Sequence, residues 1–313
     1  MRILVTGGGG AASEALRRLW QDPHDVHFAD ADVRVRPAGV PPEAWHQIPL
    51  AASPDFVPVL SQRLADLGVD LLVPGVDEEL EIVAAHRSDL PARVLVPDLG
   101  FVATHLDKLA SHRALFDVGL PTPSTSVYDD AGAFPCVVKP RRGRGSRDVR
   151  LVRSLEEARA HLLLSGRPAS DFLMQTALVG QEYTVTMVAD QSRTLRAVVP
   201  ARVDLKRGIT IRAATEANDV VTGACAAMHA AMPTSGVYNI QLMLTPEGGV
   251  MPFEINPRIS TTTCLAMASG VDVLALALAT DAAPPVLVPF RAGTALRRSW
   301  RNVFVDPDGQ EHG

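Results

Sequence analysis

Cysteine is scarce in this chain. Cys136, Cys225 and Cys264 stand far apart with no paired spacing, which argues against a disulfide framework or a zinc site and for a reducing cytoplasm. An excess of positive charge is also missing. Thirty Lys and Arg against 35 Asp and Glu give a net charge of −5, so there is no basic footprint for nucleic acid. Uninterrupted apolar runs are absent as well. The longest apolar region, "CLAMASGVDVLALALATDAAPPVLVPF", is broken by Asp272, Asp281 and two prolines, and reads as a buried helix pair that cannot span a bilayer. The amino terminus lacks the pattern of a signal peptide, because Arg2 is followed by a short apolar run that ends in glycines. What remains is an ordinary globular balance, 47% hydrophobic and 21% charged over 313 residues, for which two domains are expected.

The first hundred residues alternate strand-like and helix-like segments. "RILVT", "DVHFA", "VDLLVP" and "ARVLVP" are short buried-strand runs separated by helical patterns, which predicts a parallel, doubly wound α/β unit. Leu106, Leu109, Leu115 and Phe116 then recur at helical spacing, with Gly119 as the C-cap. Beyond them strands dominate, and helices intervene, one opened by a capping box of Ser154 and Glu157. This second part reads as α+β.

"MRILVTGGGGAAS" itself fits a dinucleotide-binding opening. Gly7, Gly9 and Ala12 match G-x-G-x-x-G/A, and Asp30 lies where a ribose-binding acid belongs. On these residues alone the chain reads as a nicotinamide-dependent oxidoreductase. Against that, no Tyr-x-x-x-Lys pair follows.

Chemistry gathers in "GVYNIQLMLTPEGGVMPFEINPRIS", two strand-like runs around a "TPEGG" turn. Pairing Thr245 with Val250 sets Gln241 opposite Glu254 and Asn239 opposite Asn256. These four polar groups then share one face, and Ile240, Leu242, Phe253 and Ile255 face a core. Such oxygens suit a hard divalent cation, and Arg258 adds a donor fork nearby; a solvated sheet face is the alternative. In "VVKPRRGRGSRDV", Lys139 ends a strand and Gly143, Gly145 and Ser146 form a loop that either cradles phosphate or is a basic surface turn. In "DFLMQTALVGQEYTVTMV", Phe172 to Leu178 would line an adenine pocket and Glu182 would accept from ribose hydroxyls, or the stretch is simply strand, turn and strand. "VPGVDEELEIV" puts Asp77 and Glu78 at a strand end, to hold a substrate amine or to cap the next helix. Arg202, Lys206 and Arg212 either face a substrate carboxylate or γ-phosphate, or decorate a solvated strand.

The order of these parts carries more than any one of them. Lys108, Lys139 with its glycine loop, Glu182, then Gln241, Glu254, Asn256 and Arg258 resembles the ATP-grasp superfamily, from about Thr104 to Gly270. "NIQ" followed by "FEINPRIS" and a small-residue helix looks most like the large subunit of carbamoyl phosphate synthase and its stand-alone relatives. The resemblance implies a Rossmann-like pre-ATP-grasp domain over residues 1–102 that binds no dinucleotide. It further implies an ATP-grasp domain of two α+β subdomains, a lid at 103–172 and a C-terminal part at 173–313. It implies that Lys108 and Lys139 hold ATP phosphates under a Gly143–Ser146 lid, that Gln175, Thr176 and Leu178 frame adenine, and that Glu182 takes the ribose. Gln241, Glu254 and Asn256 would bind Mg2+, with Mn2+ admitted in its place, and Arg258 would steady the transferred phosphoryl group. The implied reaction is ADP-forming amide synthesis from a small carboxylate and an amine, in the cytoplasm, with a homodimer allowed. Three residues depart from the pattern: Thr176 replaces a frequent acid, Asp148 a loop glycine, and Gln241 a frequent carboxylate.

Overall fold

A computed structural model describes residues 1–280, 286–300, 302–308 and 311–312; Asp281 and the prolines at 284 and 285 lie outside it. Its first layer is a parallel sheet. Strands β1 (Arg2–Thr6), β2 (Asp25–Asp30), β3 (Trp45–Gln47), β4 (Leu71–Val73) and β5 (Arg93–Val94) run in the order β3-β2-β1-β4-β5. Helices α1 (Ser13–Trp20), α2 (Phe56–Leu67) and α3 (Asp77–Ala85) connect them. Strand order reverses beside β1, and open parallel sheets bind ligands in that crevice at the strand ends. The three-residue β3 is not visible in the sequence, because Trp-His-Gln carries no apolar alternation.

The expected single helix around residue 106 is two. Helix α4 (Leu99–Leu106) stops and α5 (Lys108–Asp117) starts at Asp107, whose carboxylate accepts from the N–H groups of Leu109 and Ala110 at 3.0 and 3.2 Å. That cap fixes Lys108 as the first residue of a helix, and Arg141 holds the capping carboxylate at 2.7 Å. Leu109 and Leu115 are buried as expected, whereas Phe116 is 70% exposed, one position off the apolar stripe.

A four-stranded antiparallel sheet follows, β6 (Thr125–Val127), β7 (Cys136–Pro140), β8 (Arg150–Val152) and β9 (Phe172–Thr176), in the order β6-β9-β7-β8. Helix α6 (Leu155–Ser165) covers it, opened by Ser154, whose hydroxyl accepts from Glu157 N–H. Cys136, Val138, Val152, Ala158, Phe172 and Met174 give this sheet its own core. The 172/173 boundary expected from the sequence falls within β9, which pairs with β6 and β7.

The largest sheet has six strands: β10 (Gln181–Ala189), β11 (Leu195–Arg207), β12 (Ile209–Thr215), β13 (Gly236–Leu244), β14 (Val250–Asn256) and β15 (Ala295–Arg297). Helix α7 (Asp219–Ala231) packs on it, and α8 (Thr263–Ala268) and α9 (Val273–Leu278) are the expected buried helix pair. A short ribbon, β16 (Phe304–Val305) with β17 (Glu311–His312), ends the described chain. One core joins the first and largest sheets, with Ile3, Val5, Leu16 and Trp20 packed in the same cluster as Val188, Val199 and Leu274. This packing brings the carboxyl ends of β1 and β4 to the polar face of the six-stranded sheet. Among the described residues no helix is long and apolar enough to cross a membrane, and Cys136, Cys225 and Cys264 are buried free thiols.

Candidate active site

A cleft of about 790 Å³ lies between the three sheets, and every residue expected at the nucleotide and metal site lines it. Antiparallel pairing makes its floor. β10 pairs with β13 and β13 with β14, so Glu182 and Thr184, Asn239 and Gln241, and Glu254 and Asn256 share one face. Gln241 opposes Glu254 and Asn239 opposes Asn256, as the period-two pattern predicts. The register then slips by one: Leu242 opposes Pro252 and Leu244 opposes Val250, so Thr245 does not pair with Val250. The extra residue is Phe253, at a β-bulge. Phe253 therefore lines the cleft and not the core, with its ring 6.0 Å from Lys139 Nζ and 5.8 Å from Lys206 Nζ.

Three lysines from different elements converge on Glu254. Lys108 Nζ stands 3.4 Å from Glu254 Oε1 and donates to Gly143 O at 2.7 Å. Lys139, 4% exposed, donates to Gln175 Oε1 at 2.9 Å and Phe253 O at 3.1 Å. Lys206 donates to Glu182 Oε1 at 2.6 Å and Gln241 Oε1 at 2.9 Å. Burial pushes the Glu254 carboxyl up, but the charges of Lys108, Lys139 and Lys206 and a hydrogen bond from Lys108 outweigh it and hold the group below its ordinary value. Burial, with help from Lys108 and Lys206 and against Glu254, brings Lys139 down to about 8. Three lysines gathered around Glu254, with Glu182 beside them, form the kind of positive field that a polyanion with a divalent cation would enter.

As a metal site the donor set is partial. Asn256 Nδ2 donates to Asn239 Oδ1 at 3.3 Å, which leaves the Asn256 amide oxygen for a cation, and Glu254 supplies the charge. Gln241 Oε1 already accepts from Lys206. Among the described residues no three His, Cys, Asp or Glu cluster. One carboxylate and amide oxygens fit magnesium that arrives with phosphate, since that ion keeps water and phosphate in most of its positions.

The glycine loop is folded over the cleft and tied to the first sheet's helix. Arg142 pairs with Glu81 at 3.1 Å and Arg144 with Glu78 at 3.0 Å, while Ser146 Oγ donates to Gly208 O at 3.3 Å. Asp148 has φ 55°, the left-handed region that explains why glycine suits this position and why aspartate is among the few alternatives. Thr176 and Leu178 line the cleft beyond Gln175, whose Nε2 donates to Thr125.

Arg258 Nε donates to Asp77 Oδ1 at 2.5 Å, a partner 181 residues away that single-strand patterns cannot reveal. Asp77 thus neither caps α3 nor stands free for an amine, and Glu78 holds Arg144. The cap is Glu79, a glutamate three residues into the helix, which is a capping signal legible in the sequence. Arg202 pairs with Glu216 at 3.3 Å and, like Arg212, is absent from the cleft lining; Lys206 is the one of that trio inside it. At the first sheet, Gly9 N–H donates to Asp30 Oδ2 at 3.0 Å, so the glycine and the acid that a nicotinamide cofactor would need are bonded to each other. Ala12 is buried. A Cβ on Gly7 would stand 2.6 Å from Val76 Cγ2, so that glycine accommodates the chain's own packing.

Glu79 is 3% exposed, and burial pushes its carboxyl up to about 7, against hydrogen bonds from Thr6, Val76 and Gly75 and with Asp30 adding to the rise. Its folded value lies above its ordinary 4.5, so the folded state holds the proton more tightly and stability falls as pH rises through that window. The loss is roughly 3 kcal/mol by about pH 8, and Glu79→Gln is expected to abolish it. Denaturant titrations at about pH 5 and pH 8 check this; identical pH dependence in the two proteins would contradict it.

Residues 169–298 match a family model described as ATP-grasp in the biosynthetic pathway with Ter operon. No curated protein matches the sequence. Among solved structures, the biotin carboxylase domain of 2-oxoglutarate carboxylase from Hydrogenobacter thermophilus, determined with MgADP, ADP and bicarbonate, is similar with a TM-score of 0.65. It is 16% identical, over 88% of this chain and 69% of that one. The L-amino acid ligase of Bacillus licheniformis aligns with a TM-score of 0.67 and 14% identity, over 88% of this chain and 72% of that one. N5-carboxyaminoimidazole synthetase of Staphylococcus aureus, solved with ADP, gives 0.66 and 12%, over 90% and 78%. A Rossmann-like sheet leading into two α+β units around one lysine-lined cleft is an ATP-grasp-like fold, shared with this biotin carboxylase domain and this L-amino acid ligase.

Proposed function

We propose that this chain is an ATP- and magnesium-dependent ligase that activates a carboxylate as an acyl phosphate and joins it to an amine, releasing ADP and phosphate. One observation carries the reading: Lys108, Lys139 and Lys206 meet at Glu254 on the floor of a cleft closed by a glycine loop. Lys108 and Lys139 hold the ATP phosphates, and residues Gly143, Gly145 and Ser146 cover them. Gln175, Thr176 and Leu178 frame the adenine, and Glu182 takes the ribose once Lys206 turns from it toward the triphosphate. Glu254, Asn256 and Gln241 would hold magnesium, which would supply neutralisation of the phosphate charge.

Arg258, aimed by Asp77, steadies the phosphoryl group as it passes to the substrate carboxylate oxygen. The amine nitrogen then attacks the acyl carbon, phosphate leaves, and the nitrogen loses a proton. Phosphoryl transfer asks little of the protein beyond position and charge, and the closed loop keeps water from the acyl phosphate. The finer likeness, to stand-alone relatives of the carbamoyl phosphate synthase large subunit, rests on the run from Asn239 to Gln241 and from Phe253 to Ser260. We assign residues 1–102 to the pre-ATP-grasp domain, extend the lid through Thr176, and take the remainder as the C-terminal subdomain.

Multiple-turnover ADP release, followed over a matrix of amino acids and other small carboxylates and amines, tests the reaction. Release that requires one carboxylate and one amine together is the expected result. Turnover independent of both across the matrix would remove the ligase assignment.

A further inference from the structure

The cleft is larger than its nucleotide half, and the other half belongs to the first sheet. Gly7, Gly9, Gly10, Val35, Ile48 and Leu50 line it, beside Glu79 at the crevice between β1 and β4. Glu79 enters this crevice in an unusual state. Thr6 Oγ1 and the N–H groups of Gly75 and Val76 all donate to one carboxylate oxygen, Oε1, the latter two at 3.0 Å. The chain is crowded to allow it: a Cβ on Gly75 would stand 2.4 Å from Thr6 O. Among the described residues, Oε2 accepts no hydrogen bond, although the side chain is almost wholly buried. Capping of α3 uses Oε1 alone and does not account for the second oxygen.

The neighbouring acids are already committed. Asp77 is paired with Arg258, Glu78 with Arg144, and Asp30 accepts from Gly9 and Asp32. Glu79 Oε2 is therefore the acidic acceptor left in this half of the cleft. With Glu79 lining the cleft, this unpartnered oxygen is open to a cationic ligand group, which would make a charge-assisted hydrogen bond to it. Other residues of the cleft lining have the reverse chemistry. Val35 is 42% and Leu50 70% exposed, with Ile48, Pro49 and Ala51 between or beside them. Aliphatic side chains and one carboxylate oxygen without a partner in the same cleft describe a site for an ammonium carried on a short apolar body.

We propose that the crevice beside β1 is the subsite of an aliphatic ammonium-bearing substrate, with Glu79 Oε2 accepting from its nitrogen and the Val35–Leu50 wall covering its carbon chain. The proposal rests on the ligase reading only where it calls that ligand a substrate. The site itself is testable without nucleotide.

The probes are 3-methylbutylamine hydrochloride and uncharged 3-methylbutanol, at matched ionic strength, titrated into the full chain by calorimetry and by thermal shift. Saturable millimolar binding of the amine, and at least about tenfold weaker binding of the alcohol, is expected. Glu79→Gln keeps an acceptor for the α3 cap and is expected to lose that preference while melting cooperatively. Leu50→Ala, at an exposed position, is expected to weaken the amine severalfold with unchanged melting. Equal binding of amine and alcohol, no binding of either, or wild-type amine affinity in Glu79→Gln would overturn the subsite. Should Glu79→Gln fail to fold, the amine-to-alcohol ratio and Leu50→Ala decide the matter. MgATP titrated into the same preparation keeps the two ideas apart. MgATP binding without amine preference removes the subsite and spares the ligase reading; amine preference without MgATP binding does the opposite.

Discussion

Glu254→Gln is expected to fold as the wild type does and to lose turnover by a factor on the order of 10²–10³, the size seen when one preorganised electrostatic group is removed. Glu254 is the only formally charged member of the proposed metal set, and the charges of three lysines keep it ionised in spite of burial. The amide keeps the shape and the hydrogen bonding but not the charge that a magnesium–phosphate complex requires. Its partner Lys108 is a cleft residue, so the cores beneath the sheets are untouched. Steady-state ADP release and a melting curve check both halves. A purified variant with wild-type turnover would remove Glu254 from the metal site.

Lys139→Met is expected to weaken MgATP binding by about 10- to 100-fold, the worth of a charged hydrogen bond in a dry site, without lowering the melting temperature. The stability half follows from the sign of the shift. Lys139 lies at about 8, below its ordinary 10.5, so the fold resists its charge and gains nothing from keeping it ionised at neutral pH. The binding half carries a pH signature: wild-type affinity should fall as pH rises past about 8 and the ammonium loses its proton, while Lys139→Met stays flat. Calorimetry across that range measures it. A parallel pH dependence in the variant would assign the titration to another group. Function placed at a buried lysine at the expense of stability is a common trade-off in active sites.

Much of this site is legible in the sequence because it is made of local patterns. Period-two alternation sets Gln241 opposite Glu254 and Asn239 opposite Asn256, and a strand that ends at Lys139 before a glycine loop announces itself. The bulge at Phe253 breaks that alternation. Its signal was Pro252, a residue without an N–H that belongs on an edge strand or at an irregularity, and β14 is an edge strand. What single-strand reading could not supply are the long-range partners. Lys206 reaches Glu182 and Gln241 only because β10, β11 and β13 pair as they do, and Asp77 meets Arg258 only when the first sheet docks on the largest. The glycine-rich opening misleads for the same reason, since Gly9 and Asp30 match a dinucleotide pattern in sequence and bond to each other in space. Glu79 looks in sequence like its neighbours Asp77 and Glu78, and burial, which distinguishes it from them, is a property of the fold.

The central claim is that the lysines and Glu254 grip a metal-bound nucleoside triphosphate, and calorimetric titration of MgATP and of NAD into the wild type, Lys139→Met and Glu254→Gln tests it most directly. The account predicts saturable MgATP binding by the wild type, weakened in both variants, and no heat from NAD. Ligand at 100 times its dissociation constant should also raise stability by about 2.7 kcal/mol for MgATP alone. Binding of NAD without MgATP, or MgATP affinity indifferent to both substitutions, would contradict it.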